Sequence, residues 1–175
     1  MQEHSKATPA GGPTSPVELA ALVAAGAQSP TAAQELHLRM TIEGGQAAER
    51  YSFHFEASGG GLVNARMSCQ MTGREARSRA AAISTEDFAG LLEAADIPKL
   101  LEVRQPMYRI PPCSMLGRIE VSARQQRMSF VFMADRAQAE QAGMTPSPEL
   151  ARLVDRVFEV SAKYVDAGEA KSLRP

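Results

Sequence analysis

The stretch LHLRMTIEGG at residues 36–45, followed by RYSFHF at residues 50–55, decides the fold. Apolar side chains occupy every second position of both segments, and polar side chains lie between them. This period of two predicts two antiparallel β-strands with one face in the core and one in solvent, joined across Gly44-Gly45. With Glu43 opposite Arg50, the expected pairs are Ile42–Tyr51, Met40–Phe53 and Leu38–Phe55 in the core, and Arg39–His54 and His37–Glu56 in solvent.

Two more strands are expected to extend this hairpin. Residues 63–72 keep the alternation after three glycines, and the expected pairs are Phe55–Val63, Phe53–Ala65 and Tyr51–Met67. Residues 75–82 suit a small-residue strand, although their alanines also suit a helix, and we predict a strand. Pairing of the third and fourth strands would then place Arg66, Arg77 and Arg79 on the outer face, with Arg74 at their turn.

Three helices are predicted from caps and helical spacing. The central one begins after Ser84 and places Phe88, Leu91 and Leu92 on one stripe, and the last begins after Ser147 and ends at Gly168. The first has Ser15 as its N-cap and ends near Gly26. Its apolar stripe is Leu19, Leu22 and Val23, and a helix this short must dock on something to be stable. A second hairpin is predicted over residues 118–123 and 127–133.

The predicted fold is therefore α+β. An antiparallel sheet of four to six strands carries the central and C-terminal helices on one face, and a short N-terminal helix precedes it. We expect a disordered leader over residues 1–14, the N-terminal helix and a linker over 15–34, a single domain over 35–168, and a frayed tail over 169–175.

Composition excludes several classes of function. The formal net charge is −1, and no outward aromatic residues accompany the arginines, so neither a nucleic-acid partner nor a membrane partner is expected. No apolar run reaches 18 residues and residues 1–6 do not resemble a signal peptide, which makes the cytoplasm the expected compartment. The two cysteines fit reduced thiols.

No set of residues points to catalysis, a metal or a cofactor. His37 and His54 are predicted on the solvent face and Cys69 on the core face, so they cannot share a metal ion. Cys113 follows Pro112 in a loop and is a candidate nucleophile, but no histidine is placed to act as its base. We therefore predict a protein that is not an enzyme and carries no cofactor.

The order of elements resembles a known family. A strand, Gly-Gly, a second strand, a helix over residues 83–97, a hairpin and a closing helix are similar to the emfourin-type inhibitors of thermolysin-like metalloproteases. The resemblance covers residues 36–165 and lies in topology and apolar pattern, so no functional residue is transferred. It implies a proteinaceous inhibitor of a metalloprotease.

The function predicted from the residues is binding of another protein, as an accessory or structural subunit or an assembly factor of a larger complex. The candidate contact residues are Leu19, Leu22, Val23, Arg66, Arg74, Arg77, Arg79, Cys113 and Met115. Three alternatives stay open beside it: the metalloprotease inhibitor, an enzyme that uses Cys113, and a ligand-binding module that would show a sizeable apolar cavity between sheet and helices. The identity of the partner and the oligomeric state are left open.

Overall fold

A computed structural model describes residues 16–44, 51–69, 77–102 and 114–164. The helices and strands in chain order are α1 (Pro16–Gln28), α2 (Pro30–Ala33), β1 (Leu36–Gly44), β2 (Tyr51–Ser58), β3 (Leu62–Cys69), β4 (Arg77–Ala82), α3 (Thr85–Ala94), α4 (Ile97–Glu102), β5 (Leu116–Ala123), β6 (Gln126–Met133), α5 (Arg136–Ala142) and α6 (Pro148–Tyr164). The predicted leader, Ser15, Gly168 and the C-terminal tail lie outside the described residues.

The six strands form one antiparallel sheet in the order β4-β3-β2-β1-β5-β6. Alternate residues of β1, β2, β3 and β5 are buried, as the period of two predicts. The helices α1, α3, α4 and α6 contribute to the same hydrophobic core as the sheet. The α+β prediction is confirmed, including the short helix at the start. In the part of the chain that the structure describes, no helix is long and apolar enough to cross a membrane.

The predicted strand pairing is wrong by two residues, although the buried face is right. Met40 faces Phe55, Ile42 faces Phe53, and Arg39 faces Glu56. The β2–β3 pairing is displaced by two residues as well, so that Phe55 faces Ala65 and Phe53 faces Met67. Because side chains alternate with a period of two, such a displacement leaves every residue on its predicted face. The observed register also brings Arg39 into an ion pair with Glu56.

The prediction that Arg66, Arg77 and Arg79 share the outer face is wrong. Arg66 pairs with His54 and Ser78, which are positions of the outer face. Arg77 pairs with Met67 and Arg79 with Ala65, and directly paired residues lie on the same face of a sheet. Positions 77 and 79 therefore belong to the face that carries the core. Arg79 is nevertheless exposed.

Helix α1 continues past Gly26, where the sequence predicts its end. Gly26 is buried inside the helix, and a Cβ atom there would lie 2.3 Å from Cδ1 of Leu36 and 3.0 Å from Cδ1 of Leu92. The glycine therefore serves close packing of α1 against the core and does not end the helix. Leu19 and Val23 are buried in this core. The helix thus docks on its own chain.

Candidate functional site

The outer face of the sheet carries charged side chains on neighbouring strands. Strand pairing places Glu56, Arg39 and Glu120 side by side across β2, β1 and β5. Arg39 Nη2 lies 3.2 Å from Glu56 Oε1, and His54 Nε2 lies 3.6 Å from Glu43 Oε1. A third pair joins Arg127 to Glu120 across β5 and β6. Charged side chains of opposite sign therefore lie next to each other on this face, in solvent-accessible pairs that water screens.

This face does not present a metal site. Among the described residues, no three His, Cys, Asp or Glu side chains are grouped so that they could hold a metal ion. His54 faces Thr41 and contacts Glu43, while His37 faces Ser58 and Ser122. The two histidines thus occupy different rows of the sheet.

Within the described part of the chain, β4 forms one edge of the sheet and β6 forms the other. β4 pairs with β3 on one side and with no described strand on the other. The amide of Ile83 donates to the carbonyl of Gly61 at 2.9 Å, which makes this pair a hydrogen-bonded one. Hydrogen-bonded pairs alternate along an antiparallel ladder, so Ala81 and Arg79 also bond to β3. The N–H and C=O groups of Ala80 and Ala82 consequently point away from the sheet.

The side chains beside this edge are small or exposed. Ala80 and Ala82 are exposed on the outer face, and Leu62, which pairs with Ala82, leaves 65% of its surface in solvent. A single exposed leucine is ordinary on a protein surface, so the unpaired backbone of β4, and not Leu62, distinguishes this edge. Arg79 adds a positive charge on the opposite face of the same strand.

The predicted contact residues do not form one surface. Leu19 and Val23 lie in the core, and Leu22 and Met115 are partly buried against it. Arg79 is exposed on β4, whereas Arg66 and Arg77 are described only by their strand positions. Arg74 and Cys113 lie outside the described residues. The structure therefore brings only the β3–β4 arginine positions together, and it places them on two opposite faces.

The helical side of the domain contains a polar cluster that the sequence did not predict. Asp87 of α3 is buried, and its Oδ2 accepts hydrogen bonds from Lys163 Nζ at 2.6 Å and from the Tyr164 hydroxyl at 2.6 Å, both at the end of α6. The Ser84 hydroxyl donates to the same oxygen at 2.8 Å. Arg156 Nη2 lies 3.8 Å from Oδ1.

This Asp87 cluster acts as a clamp between α3 and α6. Burial raises the pKa of Asp87, but hydrogen bonds from Lys163, Tyr164 and Ser84 outweigh burial and lower the pKa to about 2. A carboxylate held so firmly in its ionised form is a poor proton acceptor near neutral pH. Its partners are 76 and 77 residues away along the chain, so only the Ser84–Asp87 cap is visible in the sequence.

A cleft of about 380 Å³ lies between the end of β6, the start of α5 and the first turns of α6. Its lining is mainly apolar, with a few polar groups at the rim. The residues are Phe132, Met133, Arg136, Thr145, Pro146, Pro148, Ala151, Val154 and Asp155. The sequence carries no signal for it, because α5 is not predicted from the sequence and because the lining comes from three separate elements.

Comparison with known proteins adds no functional information. No protein family matches the chain, and no curated protein is similar to it in sequence. The resemblance to emfourin-type inhibitors therefore stays a prediction from topology and apolar pattern.

Proposed function

We propose that this chain is a non-enzymatic protein-binding module, which works as an accessory subunit or assembly factor of a larger complex in the cytoplasm. The observation that carries the proposal is the open edge of β4 with its outward backbone groups at Ala80 and Ala82. An extended segment of a partner adds to such an edge as a further strand, since the main-chain hydrogen bonds are already aimed at it.

The charge beside the edge favours an acidic partner. Two copies of β4 paired antiparallel around Ala80 would place the Arg79 side chains on one face as diagonal neighbours, at about 7–8 Å. Like charges at such positions disfavour this pairing, and charged residues on edge strands commonly prevent self-association. A partner strand with carboxylates facing Arg79 binds more tightly, because its charges attract the guanidinium that repels a second copy of β4.

The test uses two blocked eight-residue peptides that alternate valine with glutamate or valine with lysine. We expect the full chain to bind the glutamate peptide, and the amide protons of Ala80 and Ala82 to become protected from exchange. The lysine peptide should not bind. Isothermal titration calorimetry measures the affinities, and NMR hydrogen exchange measures the protection.

The variant A80P removes an outward N–H without removing a β3–β4 hydrogen bond, because residue 80 does not bond to β3. We expect about tenfold weaker binding, the factor that a well-formed hydrogen bond supplies. A80T is the matched control, since it keeps the N–H and should bind as the unmodified chain does. Equal binding of both peptides, an unchanged A80P variant, or no binding of either peptide would overturn the β4 edge as the contact site.

A further inference from the structure

The cleft between β6, α5 and α6 has the size and lining of a small-molecule site. Pockets that bind small ligands usually begin near 300 Å³ and combine an apolar lining with a few placed polar groups. Here the buried side chain of Phe132 lies on the core face at the end of β6, and Val154 lines the side that α6 contributes. The volume of about 380 Å³ suits a ligand of amino-acid size.

The two charged side chains of the lining have opposite signs. Arg136 comes from the first turn of α5, and its only ion pair among the described residues is to Glu140, with Nε and Oε1 3.5 Å apart. That pair is exposed on both sides and therefore weak. Asp155 comes from α6 and makes no hydrogen bond or ion pair with the described part of the chain. Both charges are thus available to a ligand.

We propose that this cleft binds a small zwitterion with an apolar side chain, of the class of free apolar amino acids. The carboxylate of the ligand pairs with the Arg136 guanidinium, and its ammonium group pairs with the Asp155 carboxylate. The apolar side chain of the ligand lies against Phe132 and Val154, where it leaves water. This site is separate from the β4 edge and does not depend on the protein-binding proposal.

Three probes that share one phenyl group separate the two charge contacts. L-phenylalanine carries both charges, 3-phenylpropionate only the carboxylate, and phenethylamine only the ammonium group. We expect L-phenylalanine to bind about two- to fivefold more tightly than either of the others, since one charge contact at an exposed site supplies about that factor. Ligand-observed NMR titration of the full chain measures the three affinities.

Substitutions at the rim assign each contact. R136Q should weaken phenylalanine and phenylpropionate and leave phenethylamine unchanged, and D155N should weaken phenylalanine and phenethylamine and leave phenylpropionate unchanged. Both side chains are exposed, so neither variant is expected to disturb folding. A151L fills the cleft from a half-exposed position of α6 and should abolish binding of all three probes. A162L makes the same change on α6 away from the cleft and should bind normally.

Any one of three results would overturn the proposed site. They are equal affinities for the three probes, affinities that R136Q and D155N leave unchanged, or no binding of L-phenylalanine at millimolar concentration.

Discussion

The two sides of the sheet use the same kinds of charged residues in different environments. Under the helices, Asp87 has 10% of its side chain exposed and accepts three side-chain hydrogen bonds on one oxygen. On the open side, Arg39 and Glu56 form a pair with 55% and 46% of their side chains in solvent. Burial gives the first cluster a structural role, whereas water screens the second pair. The difference teaches that charged residues stabilise the covered side, and that exposed pairs on the open side contribute little to stability.

The largest expected effect concerns the apolar part of the covered side. Phe158 of α6 is fully buried, and its ring centroid lies 5.3 Å from that of Phe53 on β2. We expect F158A to lower the free energy of unfolding by about 3–5 kcal/mol, because it removes buried area and leaves a cavity. Arg118 is exposed on the outer face of β5, opposite Thr41, and R118T there should cost less than about 0.5 kcal/mol. Urea unfolding measures both free energies. Equal losses in the two variants would contradict the conclusion that the covered side supplies most of the stability.

A smaller but more specific effect is expected at Asp87. Its pKa in the folded chain, about 2, lies below its ordinary value of 3.8. The carboxylate therefore contributes stability that is fully present above the ordinary value and is lost as the pH falls through about 2. The difference corresponds to about 2 kcal/mol. We expect D87N to lose about this amount at pH 7 and to show a flatter dependence of stability on pH between 4 and 2.

Glu93 provides the control for this experiment, because it lies on the same helix and is exposed. E93Q should change the unfolding free energy by less than about 0.5 kcal/mol. Urea titrations at several acidic pH values compare the three proteins. A D87N variant that is as stable as E93Q at pH 7 would show that the cluster does not clamp α3 to α6.

The sequence was sufficient to predict the faces of the first three strands, but not their pairing. Alternation of Leu38 and Met40 with polar residues predicts which face of β1 is buried. It does not distinguish registers that differ by two residues, because each of them keeps the same face in the core. The choice between them depends on long-range packing and on the turn.

The faces of β4 were assigned wrongly because alanines occupy both sets of alternate positions. Ile83, which follows β4 and is buried, carries the signal that was missed. Counting back from it by twos gives Ala81, Arg79 and Arg77 on the core face, as the register shows.

Gly26 and Asp87 show a different limit of sequence reasoning. A glycine after an apolar stripe is typical of a helix end, yet Gly26 is a packing position because Leu36 approaches the helix there. Asp87 resembles an ordinary residue of a helix first turn, and Lys163 and Tyr164 meet it only after folding. The 380 Å³ cleft also cannot be read from the sequence, since residues of β6, α5 and α6 meet there only after folding.

The smallest expected effect tests the open side directly through the Arg39–Glu56 pair. A double-mutant cycle of R39T, E56T and the combined variant isolates the coupling energy between the two side chains. We expect about 0–1 kcal/mol, because both side chains are about half exposed, and we expect 1 M salt to reduce it further. Threonine is used at both positions because it maintains the strand preference of the backbone. A coupling above about 2 kcal/mol that persists in salt would mean that this face is held as firmly as the Asp87 cluster, and it would argue against an open face free to meet a partner.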